Sequence, residues 1–260
     1  MRLTVIGCAG SFPSPDSAAS SYLVQADDER GRTWSVLLDL GNGALGPLQR
    51  VIDPRTLDAI ALSHLHADHV ADTVVLYVLL RYHPDGRSAP IPLHGPAGTP
   101  ERLLSLAGAE SSHVLEQYDV HEWDPAAPVR VGPLTLTPVP VHHPVTAYGI
   151  RVSGPAEDDP ARTVTLGFSG DTDECAGVDE IADADLFLCE AAYVQGRDDE
   201  IRGVHLTGRR AGEAAARGGS RALLLTHLPA WNDPRVVLAE AREEYAGPVA
   251  LAVPGGVHLL

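Results

Sequence analysis

Short apolar runs, separated by polar and glycine- or proline-rich segments, predict a mixed α/β protein. Runs of strand length occur at residues 3–7, 21–25, 34–38, 57–62, 134–141, 149–152, 163–169, 186–190 and 222–226. Amphipathic runs typical of helices span residues 44–50, 72–81, 99–108, 206–217 and 234–245. The first half is therefore rich in strands and hairpins, whereas strand and helix alternate in the second half. Because no repeat or long linker interrupts this pattern, we expect one domain over residues 1–260.

The strand predicted at 57–62 leads directly into a dense group of histidine and aspartate residues. The segment 63–69 reads Ser-His-Leu-His-Ala-Asp-His, and its candidate ligands are His64, His66, Asp68 and His69. The first two leave the strand end in a loop, and the last two open a helical run that we expect to continue over 70–80. Imidazole and carboxylate groups suit zinc and its first-row neighbours, and together they can hold two ions. The segment therefore predicts a metal site at a strand–loop–helix junction, where α/β proteins commonly gather ligands.

Further candidate ligands follow other predicted strands. The strand exits carry the pair His142 and His143, then Asp171, and then His227. One histidine at a strand end is more often an ordinary surface residue. The same ligand chemistry at several strand exits instead indicates side chains that converge on a common point.

Composition excludes some classes of partner. The net charge is −16, all 19 basic residues are arginine, and the only basic cluster is Arg209 with Arg210. Because phosphate contacts dominate nucleic-acid affinity, this balance disfavours a long nucleic acid, although bound cations could still attract a small anion. No apolar run approaches a membrane span, so we expect no membrane partner. The scattered cysteines, and an N-terminus without a signal-peptide pattern, predict a cytoplasmic protein.

The order of the candidate ligands resembles that of the metallo-β-lactamase superfamily, and within it the ribonuclease Z-like branch. The similarity covers nearly the whole chain and includes the segments 38–41 (Leu-Asp-Leu-Gly), 93–96 (Leu-His-Gly-Pro), 169–172 (Ser-Gly-Asp-Thr), 188–191, 205–207 and 225–227. The resemblance implies an α/β fold, an αββα four-layer sandwich with two divalent metal ions at one edge. Zinc is the expected metal, and manganese or iron would also suit these ligands.

The resemblance also implies a role for each ligand. The first ion would be held by His64, His66 and His143, the second by Asp68, His69 and His227, and Asp171 would bridge both. His143 is preferred over His142 because its spacing to Tyr148 and Gly149 matches the family, and because neighbouring strand residues point to opposite sides.

Catalysis in this branch implies three catalytic residues, namely Asp68, Glu190 and His205. A hydroxide shared by the two ions would attack phosphorus, and His205, oriented by Glu190, would protonate the leaving alkoxide. In the competing interpretation Glu190 is an ordinary strand-end carboxylate and His205 a helix N-terminal histidine. Thiolesterases with a good leaving group need no such proton donor, so the pair favours a phosphodiester substrate.

The closer likeness is to compact actinobacterial proteins described as atypical class II cyclic nucleotide phosphodiesterases. It implies hydrolysis of 3′,5′-cyclic AMP or a related small phosphodiester, by a homodimer. Transfer-RNA processing is disfavoured because residues 149–171 are too short for a tRNA-binding arm. The chain could instead be another hydrolase of the same fold, such as a sulfatase or lactonase, or a non-catalytic binder of metal or nucleotide. Arg81, His83 and Trp231 are candidates for the substrate pocket, or else structural residues.

Overall fold

The computed structural model describes residues 1–108 and 112–260. Its strands are β1 (Arg2–Ala9), β2 (Ala18–Ala19), β3 (Ser21–Asp27), β4 (Thr33–Leu38), β5 (Ala59–Ala61), β6 (Ile91–Gly95), β7 (Tyr118–Glu122), β8 (Val129–Val131), β9 (Leu134–Pro140), β10 (Tyr148–Pro155), β11 (Thr163–Phe168), β12 (Leu186–Glu190), β13 (Leu223–Thr226), β14 (Val249–Leu251) and β15 (Val257–Leu259). Its helices are α1 (Leu45–Leu48), α2 (Ala67–Val70), α3 (Thr73–Tyr82), α4 (Thr99–Ala107), α5 (Ala176–Ala182), α6 (Gly208–Gly218) and α7 (Pro234–Glu244), with short 3₁₀ helices at Pro54–Thr56 and Ser112–Gln117.

The strands form two mixed sheets. One has the order β15-β1-β3-β4-β5-β6-β7, with β2 beside β1, and the other has the order β14-β13-β12-β11-β10-β9-β8. In each sheet the hairpin-connected strands are antiparallel, whereas β4 to β7 and β11 to β14 run parallel with helical crossovers. The predicted change from hairpins to alternating strand and helix therefore matches this topology.

Buried side chains divide the molecule into four layers. Between the sheets lies a central apolar layer drawn from both of them, which includes Leu3, Val36, Val152 and Phe168. The outer face of the first sheet packs against α1, α3 and α4, and the outer face of the second packs against α5, α6 and α7. This arrangement of helices outside two facing sheets confirms the predicted αββα sandwich.

The apolar pattern misses several elements and joins two others. It does not predict β2, β6, β7, β8, β14, β15 or α5, which have at most seven residues, and β7, β8, β14 and β15 lie at or next to sheet edges. The helix expected over 70–80 is wrong as one element, because α2 ends at Val70 and α3 begins at Thr73. The helix breaks because the carbonyl of His69 accepts the N–H of Leu40 (2.8 Å), and the N–H of Asp72 donates back to the Leu40 carbonyl (3.1 Å).

The parallel strands fix where functional side chains can meet. Because β11, β12 and β13 run in the same direction, their carboxyl ends emerge at one edge of the second sheet. No helix in residues 1–108 and 112–260 combines the length and apolar character needed to cross a membrane.

Candidate metal centre

The predicted ligands converge at one edge of the sandwich. His64 follows β5, His143 follows β9, Asp171 follows β11 and His227 follows β13. His227 adopts a left-handed backbone conformation with φ of 58°, which is uncommon outside glycine and often marks a functional site. Each of these residues lies one to three positions after the end of its strand, so the rigid sheets hold the ligands in place.

Three histidines form the first group of donor atoms. Nδ1 of His66 lies 3.0 Å from Nε2 of His64 and 3.1 Å from Nε2 of His143. Zinc–nitrogen bonds of 2.0–2.1 Å in tetrahedral geometry place neighbouring ligand atoms about 3.3 Å apart. The three ring nitrogens therefore have the spacing of ligands to one ion. His142, in contrast, is exposed and belongs to none of the groups with metal-ligand spacing in the described residues.

Two histidines and two aspartates form the second group. Nε2 of His69 lies 3.4 Å from Oδ2 of Asp68 and 3.3 Å from Oδ2 of Asp171. Nε2 of His227 lies 3.7 Å and 3.2 Å from the same two oxygens. Oδ2 of Asp171 is also 3.7 Å from Nε2 of His64 in the first group. One carboxylate oxygen of Asp171 therefore lies between the two groups, close to ring nitrogens of both.

Hydrogen bonds from the far side of the rings orient several of these histidines. Nδ1 of His69 donates to Oδ2 of buried Asp39 at 2.7 Å, and Nδ1 of His143 donates to the carbonyl of Val204 at 2.9 Å. Asp39 is itself held by the N–H and hydroxyl of Ser63, at 2.7 and 2.9 Å. These bonds turn Nε2 of both rings toward the cluster and fix its lone pair there. The residue pattern does not predict this role of Asp39, although the segment 38–41 belongs to the resemblance.

The electrostatics of the first group favour neutral imidazoles. Burial, followed by neighbouring histidines, lowers the pKa of His64 well below its ordinary value. Burial likewise outweighs the nearby carboxylates and lowers the pKa of His66 and of His143. A neutral imidazole offers a lone pair, so these three groups are in the form that binds a cation.

The second group places buried imidazoles beside buried carboxylates. Burial alone would lower the pKa of His69, but Asp171 and Asp39 together raise it well above the ordinary value. The reverse holds for Asp171, where burial is outweighed by His227 and His69 and the pKa falls well below the ordinary range. Among the described residues, Oδ1 of Asp171 and Nε2 of His69 are buried without a hydrogen-bond partner. Unpaired buried polar atoms are rare, and divalent cations satisfy such groups, so the donor set fits the metals that the fold implies.

Glu190 and His205 lie beside the second group as a hydrogen-bonded pair. Nδ1 of His205 donates to Oε1 of Glu190 at 2.9 Å, and the glutamate also accepts the N–H groups of Thr172 (2.9 Å) and Ala192 (3.1 Å). Burial opposes protonation, but Glu190 and then Asp171 raise the pKa of His205 to about 9. Donor atoms of Asp171, Glu190 and His205 would also be close enough for a metal ion. The carboxylate of Glu190 and Nδ1 of His205 already have hydrogen-bond partners, so a protonated imidazole fits this position better than a third ion.

A buried ion pair anchors the loop that carries His205. Arg210, near the start of α6, pairs with Asp173, and both side chains are almost fully buried. Oδ2 of Asp173 accepts the N–H of Gly203 at 2.6 Å, two residues before His205. The Asp173 N–H also donates to the carbonyl of His142 at 2.8 Å. The pair therefore ties the loop to the segments that deliver His143 and Asp171.

We expect Arg210→Met to lower the free energy of unfolding by about 3 kcal/mol, because it leaves Asp173 buried without its main counter-charge. Denaturant unfolding of both variants measures this against the matched control Arg209→Met. Arg209 is partly exposed and pairs with Glu244 near the surface, so its loss should cost about 1 kcal/mol or less. Equal destabilisation of the two variants would contradict the anchoring role.

The residues suggested for a substrate pocket separate into two places. Arg81 and His83 lie at the far end of α3, about 15 Å along the helix from its first turn. There Arg81 pairs with Glu116 (2.9 Å) and Nδ1 of His83 contacts Arg55 (2.8 Å). These contacts give both residues a structural explanation. Trp231, in contrast, lies near His227 and is highly exposed.

Comparison with known proteins identifies the family. The sequence model of one protein family, the beta-lactamase superfamily domain, matches residues 34–228. The chain belongs to this superfamily. Its metallo-hydrolase members include the probable metallo-hydrolase YhfI of Bacillus subtilis, which is 31% identical to this chain over 99% of each sequence. The crystal structure of YhfI superposes with a TM-score of 0.83 at 29% identity, covering 100% of this chain and 98% of YhfI. The superfamily expected from the motif order is therefore confirmed.

Two further relatives align with nearly the whole of this chain. The uncharacterized protein Rv1339 of Mycobacterium tuberculosis is 40% identical over 97% of this chain and 90% of its own length. A ribonuclease Z of Kineococcus radiotolerans is 32% identical over 99% of this chain and 92% of its own. The likeness to the ribonuclease Z branch, expected from the sequence, is confirmed by the second of these relatives.

Proposed function

We propose that this protein is a dinuclear-metal phosphodiesterase that hydrolyses a small phosphodiester, with 3′,5′-cyclic AMP or a related cyclic nucleotide as substrate. The observation that carries the proposal is the buried Glu190–His205 pair beside the ligand cluster. A proton donor is required when the leaving group is a poor one such as a sugar alkoxide. A thioester or an activated ester needs no such group.

In this proposal the two groups of donor atoms hold one divalent ion each. The first comprises His64, His66 and His143, and the second comprises Asp68, His69 and His227. Asp171, whose Oδ2 lies near ring nitrogens of both groups, would be shared between them. When bound, two such ions supply a nucleophilic water at neutral pH and polarise the phosphoryl oxygens. Zinc is the proposed metal, and manganese or iron would also suit the donor set.

The side chains of this protein then position and move protons. Glu190 accepts the Nδ1 proton of His205, which leaves Nε2 as the atom that donates to the departing alkoxide. The raised pKa keeps this imidazole protonated near neutral pH. Asp68 has two proposed roles, because its carboxylate would hold the second ion and accept a hydrogen bond from the attacking water.

A small substrate is supported by the shape and charge of the chain. Strands β10 and β11 are joined by a turn of residues 156–162, which leaves no room for a long arm that could grip tRNA. The net charge of −16 likewise opposes binding along a polynucleotide backbone. The competing candidate is a ribonuclease Z-type tRNA 3′ endonuclease, favoured by the 32% identity to the Kineococcus enzyme. That alignment spans 304 positions, however, and this chain has only 260 residues.

A substrate panel tests the proposal. Purified protein is offered cyclic AMP, precursor tRNA and a bis-aryl phosphodiester, with chelator and after restoration of zinc or manganese. We expect chelator-sensitive turnover of cyclic AMP and of the aryl diester, and none of precursor tRNA. Cleavage of precursor tRNA alone would replace the proposal with the endonuclease. Failure on all three, in protein that has bound metal, would favour a sulfatase, a lactonase or a non-catalytic binder. Sedimentation of the same sample tests the proposed homodimer.

A further inference from the structure

Two aromatic rings stand together at the surface beside the ligand cluster. The ring centroids of Phe12 and Trp231 are 4.9 Å apart with an interplanar angle of 39°. The indole remains 66% exposed, even though burying a large aromatic side chain stabilises a fold. An exposed tryptophan held against a second ring is a surface suited to stacking on a planar group.

The backbone connects these rings directly to the second group of ligands. The N–H of Ser11, the residue before Phe12, donates a hydrogen bond to Nε2 of His227 at 3.3 Å. On the other side, Trp231 follows His227 by four positions. The two segments run side by side, because Ala9 and Leu228 form a parallel bridge and the N–H of Gly10 donates to the Leu228 carbonyl at 3.1 Å. Phe12 therefore follows a residue that contacts the proposed metal ligand His227, and Trp231 is four positions from that ligand.

The turn that presents Trp231 is fixed from beneath. The neighbouring Asn232 is buried, and its side-chain amide donates to the Ala192 carbonyl at 2.8 Å and accepts from Arg197 at 2.9 Å. Its N–H donates to the Pro229 carbonyl at 2.9 Å. A Cβ on Gly10 would lie 2.2 Å from the His227 carbonyl, so the close approach of the two segments requires glycine there. The aromatic surface is thus pre-organised, which reduces the entropy lost when a ligand binds.

We infer that Phe12 and Trp231 form a subsite for the base of a nucleotide whose phosphate is bound at the metal centre. This inference rests on the proposed function and names the part of the substrate that lies outside the reacting group. Stacking on aromatic side chains tolerates any base and needs no charge, which suits a chain with a net charge of −16. Because the Ser11 N–H is hydrogen-bonded to the His227 ring nitrogen, the base subsite and the metal centre lie side by side.

The subsite is tested by separating base recognition from chemistry. We expect Trp231→Ala to raise KM for cyclic AMP by about 10- to 100-fold with kcat nearly unchanged, the loss typical of one base–aromatic stack. A base-free ribose 3′,5′-cyclic phosphate should be hydrolysed equally by both proteins. Trp231→Phe should restore most of the affinity. Tyr82→Ala serves as the matched control, because Tyr82 is 61% exposed at the far end of α3 and should leave KM unchanged.

A binding measurement keeps the subsite distinct from the hydrolytic function. Titration of the metal-loaded protein with 5′-AMP should quench tryptophan fluorescence in the wild type and not in Trp231→Phe. Quenching without hydrolysis of any cyclic nucleotide would contradict the proposed function and still support the subsite. Hydrolysis without quenching, or equal losses on base-bearing and base-free substrates, would overturn the subsite. So would a Trp231→Ala protein that changes from dimer to monomer at unchanged KM, since the rings would then be an interface between copies.

Discussion

We expect His205→Ala to lower turnover of cyclic AMP by about 10²- to 10⁴-fold while the protein keeps its metal. The loss is of this size because general-acid catalysis typically contributes that much to a step with a poor leaving group. The metal is retained because Nδ1 of His205 is engaged with Glu190 and lies 3.9 Å from Oδ2 of Asp171, outside the two groups of ligands. Steady-state rates and metal analysis of the same preparation measure both effects.

The matched control for this variant is a change of substrate. A diester with a p-nitrophenolate leaving group departs without a proton, so its hydrolysis by His205→Ala should fall far less than that of cyclic AMP. Equal losses on both substrates, or metal lost together with activity, would show that His205 is a ligand or a packing residue. Glu190→Gln keeps the size of the side chain, and it should reproduce a smaller part of the same selective loss.

The same proton predicts how activity depends on pH. The pKa of His205 is raised to about 9, chiefly because Glu190 outweighs burial, so the donor is protonated below that pH and lost above it. Bound cations repel the proton and bring this value down toward neutrality. The rate on cyclic AMP should therefore fall on the alkaline side, at or below about pH 9. In His205→Ala that alkaline limb should disappear.

Asp171→Ala should remove both ions rather than one. Its Oδ2 lies 3.2–3.7 Å from ring nitrogens of both groups, namely those of His64, His69 and His227. Loss of a hydrogen-bonding partner around a metal ligand typically costs about 10- to 100-fold in affinity, so loss of a shared ligand should cost more at each position. Metal titration of the folded variant, monitored by isothermal calorimetry, measures the two affinities.

Single-group variants supply the controls for the bridge. His143→Ala should weaken only the ion of the first group, and His227→Ala only that of the second, because each ring contributes to one group. Far-ultraviolet circular dichroism should show all three variants folded. An Asp171→Ala protein that retains one ion at full affinity would contradict the shared oxygen.

The grouping of the candidate metal-ligating side chains could be predicted from the sequence because its signal is local. A buried strand followed at once by His or Asp is visible in the residue pattern, as at His143, Asp171 and His227. Strands that run parallel bring such exits to one edge, so the convergence follows from topology. The choice of His143 over His142 rests on strand alternation and on the spacing found in the family.

The contacts that the sequence could not predict are long-range. Three contacts join distant segments, namely the hydrogen bond between His69 and Asp39, the ion pair between Arg210 and Asp173, and the parallel bridge between Ala9 and Leu228. The break between α2 and α3 has the same origin, because Leu40 takes the hydrogen bonds that would have continued the helix. Arg81 and His83 look like pocket residues in the sequence, and only their partners on other elements explain them.

The central claim is that two divalent ions share one oxygen of Asp171, and anomalous diffraction from a crystal grown with zinc tests it most directly. We expect two anomalous peaks about 3.5–4 Å apart. One should lie among His64, His66 and His143, and the other among Asp68, His69 and His227. A single peak, or a second ion held by Glu190 and His205, would contradict the claim.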